Sequence, residues 1–154
     1  MNLISVRELY RPKASGLVAH NGLELIFENH SRKVFHNSPG TGPTICSYEE
    51  FAEGLPVTAK RKSTCNLLSV RKRIETLLGQ QRKYHATDFN CEQTVSYVLS
   101  GIARSPQVKA SVGTGLLFGG LCLLFGGSAK QALLATGVGS VTGLTISKSD
   151  LLRG

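Results

Sequence analysis

A thiol and two imidazoles are the side chains of this sequence best suited to do chemistry together. Cys91 stands in the run Asn90-Cys91-Glu92-Gln93, just ahead of a helix-like stretch, while His20 and His36 lie far upstream in strand-like sequence. A thiol in the first turn of a helix meets unpaired backbone N–H groups and the positive end of the helix dipole, and both favour thiolate over thiol. An imidazole brought close could take the thiol proton or form an ion pair, which makes a cysteine nucleophile and its base. A lone cysteine before a helix is more often buried and inert, so spacing alone does not establish catalysis. Cys46 and Cys65 read as ordinary thiols and Cys122 as a packing residue. No CxxC pair occurs, so the sequence supports neither a zinc site nor a thioredoxin-like centre, and no metal or cofactor is implied. His30 falls in a polar turn and reads as solvated. His85 reads as structural or exposed, and Tyr84 as a core tyrosine that could also line the site.

Two strands must carry the imidazoles and a helix the thiol. Residues 1–15 read as a polar lead-in. Residues 16–27 read as extended, with Leu23, Leu25 and Phe27 in a mostly period-two pattern. A polar turn at Glu28–Arg32 and a short strand at Lys33–His36 complete a hairpin. Ser38–Pro43 is a loop by composition. Ser47 with Glu50 forms a capping box for a short helix ending at Gly54. Leu55–Ala59 is a candidate strand. Ser69 opens a helix over Val70–Leu78, with Val70, Ile74, Leu77 and Leu78 on one face and Gly79 as its stop. Tyr84–Phe89 reads as a short strand or turn. Asn90 caps a third helix from Cys91 to about Ala103, with Val95, Val98, Leu99 and Ile102 as its buried stripe.

The chain changes character after Lys109. Residues 110–128 carry no charge, Lys130 and Gln131 interrupt, and residues 132–147 are again uncharged. The first stretch is about long enough to cross a bilayer as a helix, and the second is short. Gly115/Gly119 and Gly139/Gly143 give two GxxxG spacings that permit close helix approach and allow self-association. A hairpin turning at Ser128–Gln131 fits, with Lys109 and Lys148 at its ends. The other reading is a Gly-rich helical pair buried on the domain.

With 154 residues there is room for one ordinary domain and a tail. The formal charge is +8, and Lys60, Arg61, Lys62, Arg71, Lys72, Arg73, Arg82 and Lys83 face one acid, Glu75. Such a run suits either a solvated face or an anionic membrane surface. No aromatic ladder accompanies it, so nucleic acid is not expected as a partner. No export signal is recognisable, so an intracellular, reducing setting with free thiols is expected.

The order His20-Asn21-Gly22, a hairpin, Val34-Phe35-His36, and then Asn90-Cys91-Glu92 resembles the H-box/NC pattern of the lecithin:retinol acyltransferase family, a circular permutation of the NlpC-type papain-like fold. The likeness runs from about residue 15 to 108. It takes in Ser47–Val57, Arg73–Cys91, and Ser100-Gly101 with Ser105-Pro106-Gln107-Val108. It implies Cys91 as nucleophile, His20 as general base and His36 as the polar partner that orients it. It also implies cleavage of a phospholipid acyl ester through an acyl-thioester. The pattern departs from the family in two places. Gln93 stands where a His is common, and sixteen residues separate the imidazoles, a gap that a longer hairpin turn would absorb.

The resulting expectation is an α+β chain: a small antiparallel sheet packed on helices in a circularly permuted papain-like arrangement, then a C-terminal apolar helical hairpin. Residues 1–108 form the thiol acyltransferase or hydrolase domain, and residues 109–154 a Gly-rich, membrane-associating tail. The function expected is acyl transfer or hydrolysis on phospholipid acyl esters, with phospholipid as substrate and a membrane engaged through residues 110–147. Two alternatives stand beside it: a papain-like amidase or peptidase, and a non-enzymatic, membrane-active or host-interaction protein that uses the fold as a scaffold.

Overall fold

A computed structural model describes residues 2–12, 19–80, 83–86 and 89–153, with side chains for all of these except 61, 62 and 146–153. The chain is α+β, as its patterning implies. Strands β1 (Leu3–Pro12), β2 (Ala19–Phe27), β3 (Arg32–Ser38), β4 (Gly42–Cys46) and β5 (Thr58–Lys62) form one sheet in the order β4-β3-β2-β1-β5. Helices α1 (Tyr48–Ala52), α2 (Leu67–Gln80), α3 (Cys91–Ser100), α4 (Pro106–Leu124) and α5 (Ala129–Arg153) complete it.

The polar lead-in expected at the N-terminus is instead a strand inside the sheet. β1 lies between β2 and β5 and buries Val6, Leu9 and Tyr10. Its polar residues hide the pattern but are satisfied by partners: Arg7 pairs with the buried Glu24 of β2, and Arg11 with Glu53. β4 begins inside the Ser38–Pro43 stretch that reads as loop. It pairs antiparallel with β3 from Val34↔Cys46 to Ser38↔Gly42. It is the sheet's last strand, where Pro43 costs no central ladder bond. β5 begins three residues later than the expected Leu55–Ala59 strand.

β2 and β3 pair from Gly22↔His36 to Ile26↔Arg32. The turn between them is tight, with Phe27 N–H bonded to Ser31 O at 3.1 Å and His30 in the left-handed region at φ 61°. The sixteen-residue separation of the imidazoles is therefore taken up by two long strands and not by a longer turn.

The N-caps of α1 and α3 are those the sequence implies, and the ends of α2 are not. Ser47 caps α1 with the full box to Glu50, and Glu53 takes the left-handed C-cap position just before Gly54. α2 starts earlier than expected: Asn66, not Ser69, supplies the capping oxygen, accepting from Ser69 N–H at 3.0 Å. α2 also runs through Gly79 to Gln80, and Leu78 is exposed while Val70, Ile74 and Leu77 are buried. In α3, Val95 and Val98 are buried and Leu99 is partly so, but Ile102 lies beyond the Gly101 C-cap and is exposed.

The two sheet faces carry separate cores. Leu23, Leu25 and Phe35 pack with Val70, Ile74 and Leu77 of α2 and with Val95 and Val98 of α3. Leu9 and Val34 pack with Phe51 of α1 on the other face. Alternation along β3 thus sends Val34 and His36 to the α1 face, and Phe35 and Asn37 to the α2–α3 face.

Contacts divide the described residues into two compact units, one reaching to Ser105 and the other built on the hairpin from Pro106 onward. In the second unit Gly115 and Gly119 of α4 and Gly139 and Gly143 of α5 face the other helix, against its threonines and other residues. A Cβ at Gly115 would sit 3.0 Å from Thr136 O, and one at Gly139 would sit 2.9 Å from Phe118 Cβ. Gly119 and Gly143 are likewise closed by Thr136 and Thr114. Both GxxxG spacings are therefore used inside the hairpin. The turn spans Phe125–Ser128, and Ser128 and Gln131 cap α5 reciprocally.

Candidate active site

The long β2–β3 pairing brings His20 and His36 together. His20 Nε2 and His36 Nδ1 are 2.9 Å apart, and the rings are perpendicular with centroids at 5.1 Å. Phe51 of α1 forms the floor: it stacks on His20 at 5.4 Å and meets His36 edge-on at 5.5 Å. The site requires glycine at position 22, because a Cβ there would lie 2.7 Å from Phe51 Cε2 and 3.0 Å from Val34 Cγ1.

Arg11 lies over the Phe51 ring, with its guanidinium carbon 5.6 Å from the ring centroid. It is 5% exposed and is held by Glu53, the left-handed C-cap of α1. Burial lowers the pKa of His36, the Arg11 charge lowers it further, and Glu53 opposes both. His36 is thus held neutral at pH 7 and keeps an acceptor nitrogen.

Cys91 is buried in the first turn of α3. Asn90 fixes that turn in two directions. Its Oδ1 accepts from Gln93 N–H at 2.8 Å, and its Nδ2 donates to Ala86 O at 2.9 Å. Gln93 Oε1 accepts in return from Asn90 N–H at 3.0 Å. Gln93 therefore closes a capping box here. Glu92 is buried and accepts from Ser105 Oγ. Tyr84 lies within electrostatic reach of Cys91: burial, then the Cys91 charge, pushes its pKa up to about 12.

Adjacent residues of β3 tie the imidazoles to α3. His36 pairs with His20, while the next residue, Asn37, donates from Nδ2 to Phe89 O and to Thr94 Oγ1, each at 2.9 Å. Asn37 is completely buried. His85 and Phe89 exchange both backbone hydrogen bonds, which sets the approach to Asn90.

The sequence singles out Cys91, His20 and His36, of which the strand pairing brings His20 and His36 together. It does not single out Phe51, Arg11 or Asn37, which pack on or beside that pair. Phe51 was within reach, being the apolar residue just after the Ser47–Glu50 box. Arg11 was hidden by the reading of residues 1–15 as a lead-in. His30 is exposed in its turn and His85 is exposed, as their contexts suggest. Cys46, Cys65 and Cys122 are free, half-buried thiols, and burial pushes the Cys46 pKa up, which disfavours its nucleophilic form.

Three described residues of the basic run have partners of their own. Arg71 pairs with Glu75 at 2.8 Å, and Arg73 donates to Val98 O at 2.9 Å, where it caps the end of α3. Lys60 lies over the Tyr10 ring at 4.9 Å. Arg82 lies outside the described residues. Among the described residues no group of His, Cys, Asp and Glu is arranged to hold a metal.

Comparison of the chain with protein families, with curated proteins and with solved structures returns no match.

Proposed function

We propose that this chain is a thiol acyltransferase or phospholipase of the lecithin:retinol acyltransferase type, acting on acyl esters of phospholipids. The observation that carries the reading is the imidazole pair at 2.9 Å, which joins two residues sixteen apart in sequence. Cys91 in a capped first turn supplies the nucleophile for it.

In this mechanism the Nε2–H of His20 donates a hydrogen bond to Nδ1 of neutral His36, so that Nδ1 is the basic nitrogen of His20. His20 takes the Cys91 proton as sulfur attacks the ester carbonyl. Backbone N–H groups at the start of α3, that of Cys91 among them, hold the oxyanion. Collapse breaks the ester C–O bond, and the proton returns from His20 to the departing lysolipid oxygen. Water, an amine or an alcohol then gives its proton to His20 and attacks the thioester, and the Cys91 thiolate leaves. α4 (Pro106–Leu124) is the one helix among the described residues long and apolar enough to cross a membrane. That favours a substrate drawn from a bilayer.

Intact mass spectrometry after incubation with phosphatidylcholine vesicles tests the reading, with Cys91→Ala and His20→Ala in parallel. An acyl mass on the native chain that is absent from both variants is the expected result. No adduct, and no fatty acid or lysolipid released, would overturn the acyl-ester reading.

One observation favours a second reading. The hairpin leaves Leu124, Phe125 and Leu133 each more than 70% exposed. A protein whose effect is membrane insertion alone would keep that effect in Cys91→Ala and lose it on deletion of 110–147.

A further inference from the structure

We propose that the α4–α5 hairpin crosses the hydrocarbon of a lipid bilayer as a self-closed unit, with both ends on one side and the Phe125–Ser128 turn at the opposite interface. This deepens the membrane half of the proposed function and makes no use of the thiol chemistry.

The packing is the reverse of a helical hairpin built for water. Such a hairpin buries its apolar stripe and exposes polar residues. Here the seam is made of Gly115, Gly119, Thr136, Gly139 and Gly143, while Leu116, Leu117, Leu124, Phe125, Leu133 and Val138 point outward. Close backbone approach through glycine is how helices associate where lipid replaces water and burial of apolar surface gives no gain. An apolar surface of this extent on a soluble unit would call for a partner.

The threonine hydroxyls of the hairpin need no water. Thr114, Thr136, Thr142 and Thr145 each donate the hydroxyl proton to the carbonyl four residues earlier in the same helix. Every threonine of the hairpin is satisfied in this way, as hydrocarbon demands. The 19 residues of α4 span about 28 Å at the helical rise, close to the hydrocarbon thickness of a bilayer, and the shorter uncharged stretch of α5, residues 132–147, spans about 24 Å, so α5 crosses with its flanking polar residues reaching to the interfaces. No charge occurs from Ala110 to Ala129, and Lys130 stands beside the turn, where its ammonium can rest among headgroups.

Because both GxxxG spacings are consumed between α4 and α5, the lipid-facing surface is the leucine-rich exterior. The hairpin therefore closes without a second copy. Gly115 packs against Thr136 and Ser140, so Leu116 and Val138 share one depth near the middle of the unit.

The chain contains no Trp, so a single introduced Trp reports its own position. Leu116→Trp, Val138→Trp and Phe125→Trp change residues that are 67%, 62% and 87% exposed, which leaves the seam intact. Each full-length variant, also carrying Cys91→Ala, is mixed with phosphatidylcholine vesicles brominated either near the ester or near the chain end. Blue-shifted emission from all three is expected. Leu116→Trp and Val138→Trp should be quenched several-fold more by deep bromine, and Phe125→Trp several-fold more by shallow bromine. Deepest quenching at Phe125→Trp would show a hairpin that dips without crossing, and equal shallow quenching at all three a hairpin lying flat. Either overturns the proposal, as does the absence of a vesicle-dependent shift. A blue shift that needs no vesicles and grows with protein concentration would assign the surface to a second copy and also overturn it. All of these readouts are taken without Cys91, so their failure is distinct from failure of the acyl-transfer reading.

Discussion

Replacing Phe51 by Leu should loosen the imidazole pair while leaving the chain folded. Phe51 is 1% exposed and touches both rings, Gly22 and the Arg11 guanidinium. The change of shape in a packed core costs roughly 1–2 kcal/mol. Loss of the ring contacts to His20 and His36 adds about 1 kcal/mol, and loss of the cation–π contact to Arg11 adds roughly 0.5 kcal/mol. The sum, about 3 kcal/mol, is a large share of the 5–15 kcal/mol typical of a domain but does not exceed it. Urea unfolding of Phe51→Leu beside the native chain measures the loss. NMR of the imidazole protons measures the second consequence: the two rings should lose their fixed shift difference as their floor goes. A destabilisation under about 0.5 kcal/mol, with both imidazole spectra unchanged, would refute the view that Phe51 positions the pair.

Two further perturbations follow from the same geometry. Arg11→Gln removes a charge that lowers the His36 pKa, so that pKa should rise in an NMR titration, with burial still holding it below the ordinary value. The sign for stability follows from the lowered native pKa. Below the unfolded-state value of about 6.5 the unfolded chain binds more protons, so acidification destabilises the native chain until the native His36 also titrates. That acid loss should be smaller in Arg11→Gln, and an unchanged slope below pH about 6.5 would count against Arg11 as its cause. Asn90→Ala removes the Oδ1 that accepts from Gln93 and the Nδ2 that donates to Ala86. It should cost about 1–2 kcal/mol in urea unfolding and slow alkylation of Cys91 relative to Cys65. Faster alkylation would show that the cap shields the thiol instead of activating it.

Much of this architecture is legible in the sequence, and what is not has identifiable causes. The caps at Ser47 and Asn90 were readable because capping acts through residues three apart, inside any local window. The hairpin was readable because β2 alternates and its turn is polar. β1 was not, because Arg7, Glu8 and Arg11 break its apolar pattern, and the groups that make them tolerable inside a sheet, Glu24 and Glu53, are remote in sequence. β4 was lost to Gly42 and Pro43, which read as loop wherever their position at a sheet edge is unknown. For the site, types and order named Cys91, His20 and His36. The Phe51 floor and the Asn37 tie needed the register, because only the pairing of Gly22 with His36 shows that Gly22 makes room for a ring.

The dipeptide His36-Asn37 shows how one strand can serve two cores. Strand geometry turns successive side chains to opposite faces about 3.3 Å apart, so His36 joins His20 over Phe51 while Asn37 reaches Phe89 and Thr94 at the start of α3. Neither partner can be moved far without disturbing the other, because Asn37 is fully buried and its two bonds would be left without water to replace them. The helix that bears Cys91 and the strands that bear the imidazoles are thereby held by regular elements, with side chains locked by packing and hydrogen bonds. The proposed acyl transfer asks for that kind of support, because it needs a thiol and an imidazole held within a hydrogen bond's length of each other. The strand pair alone would orient the imidazoles, and the capped helix alone would orient the thiol. It is the alternation at positions 36 and 37 that refers both to one rigid frame.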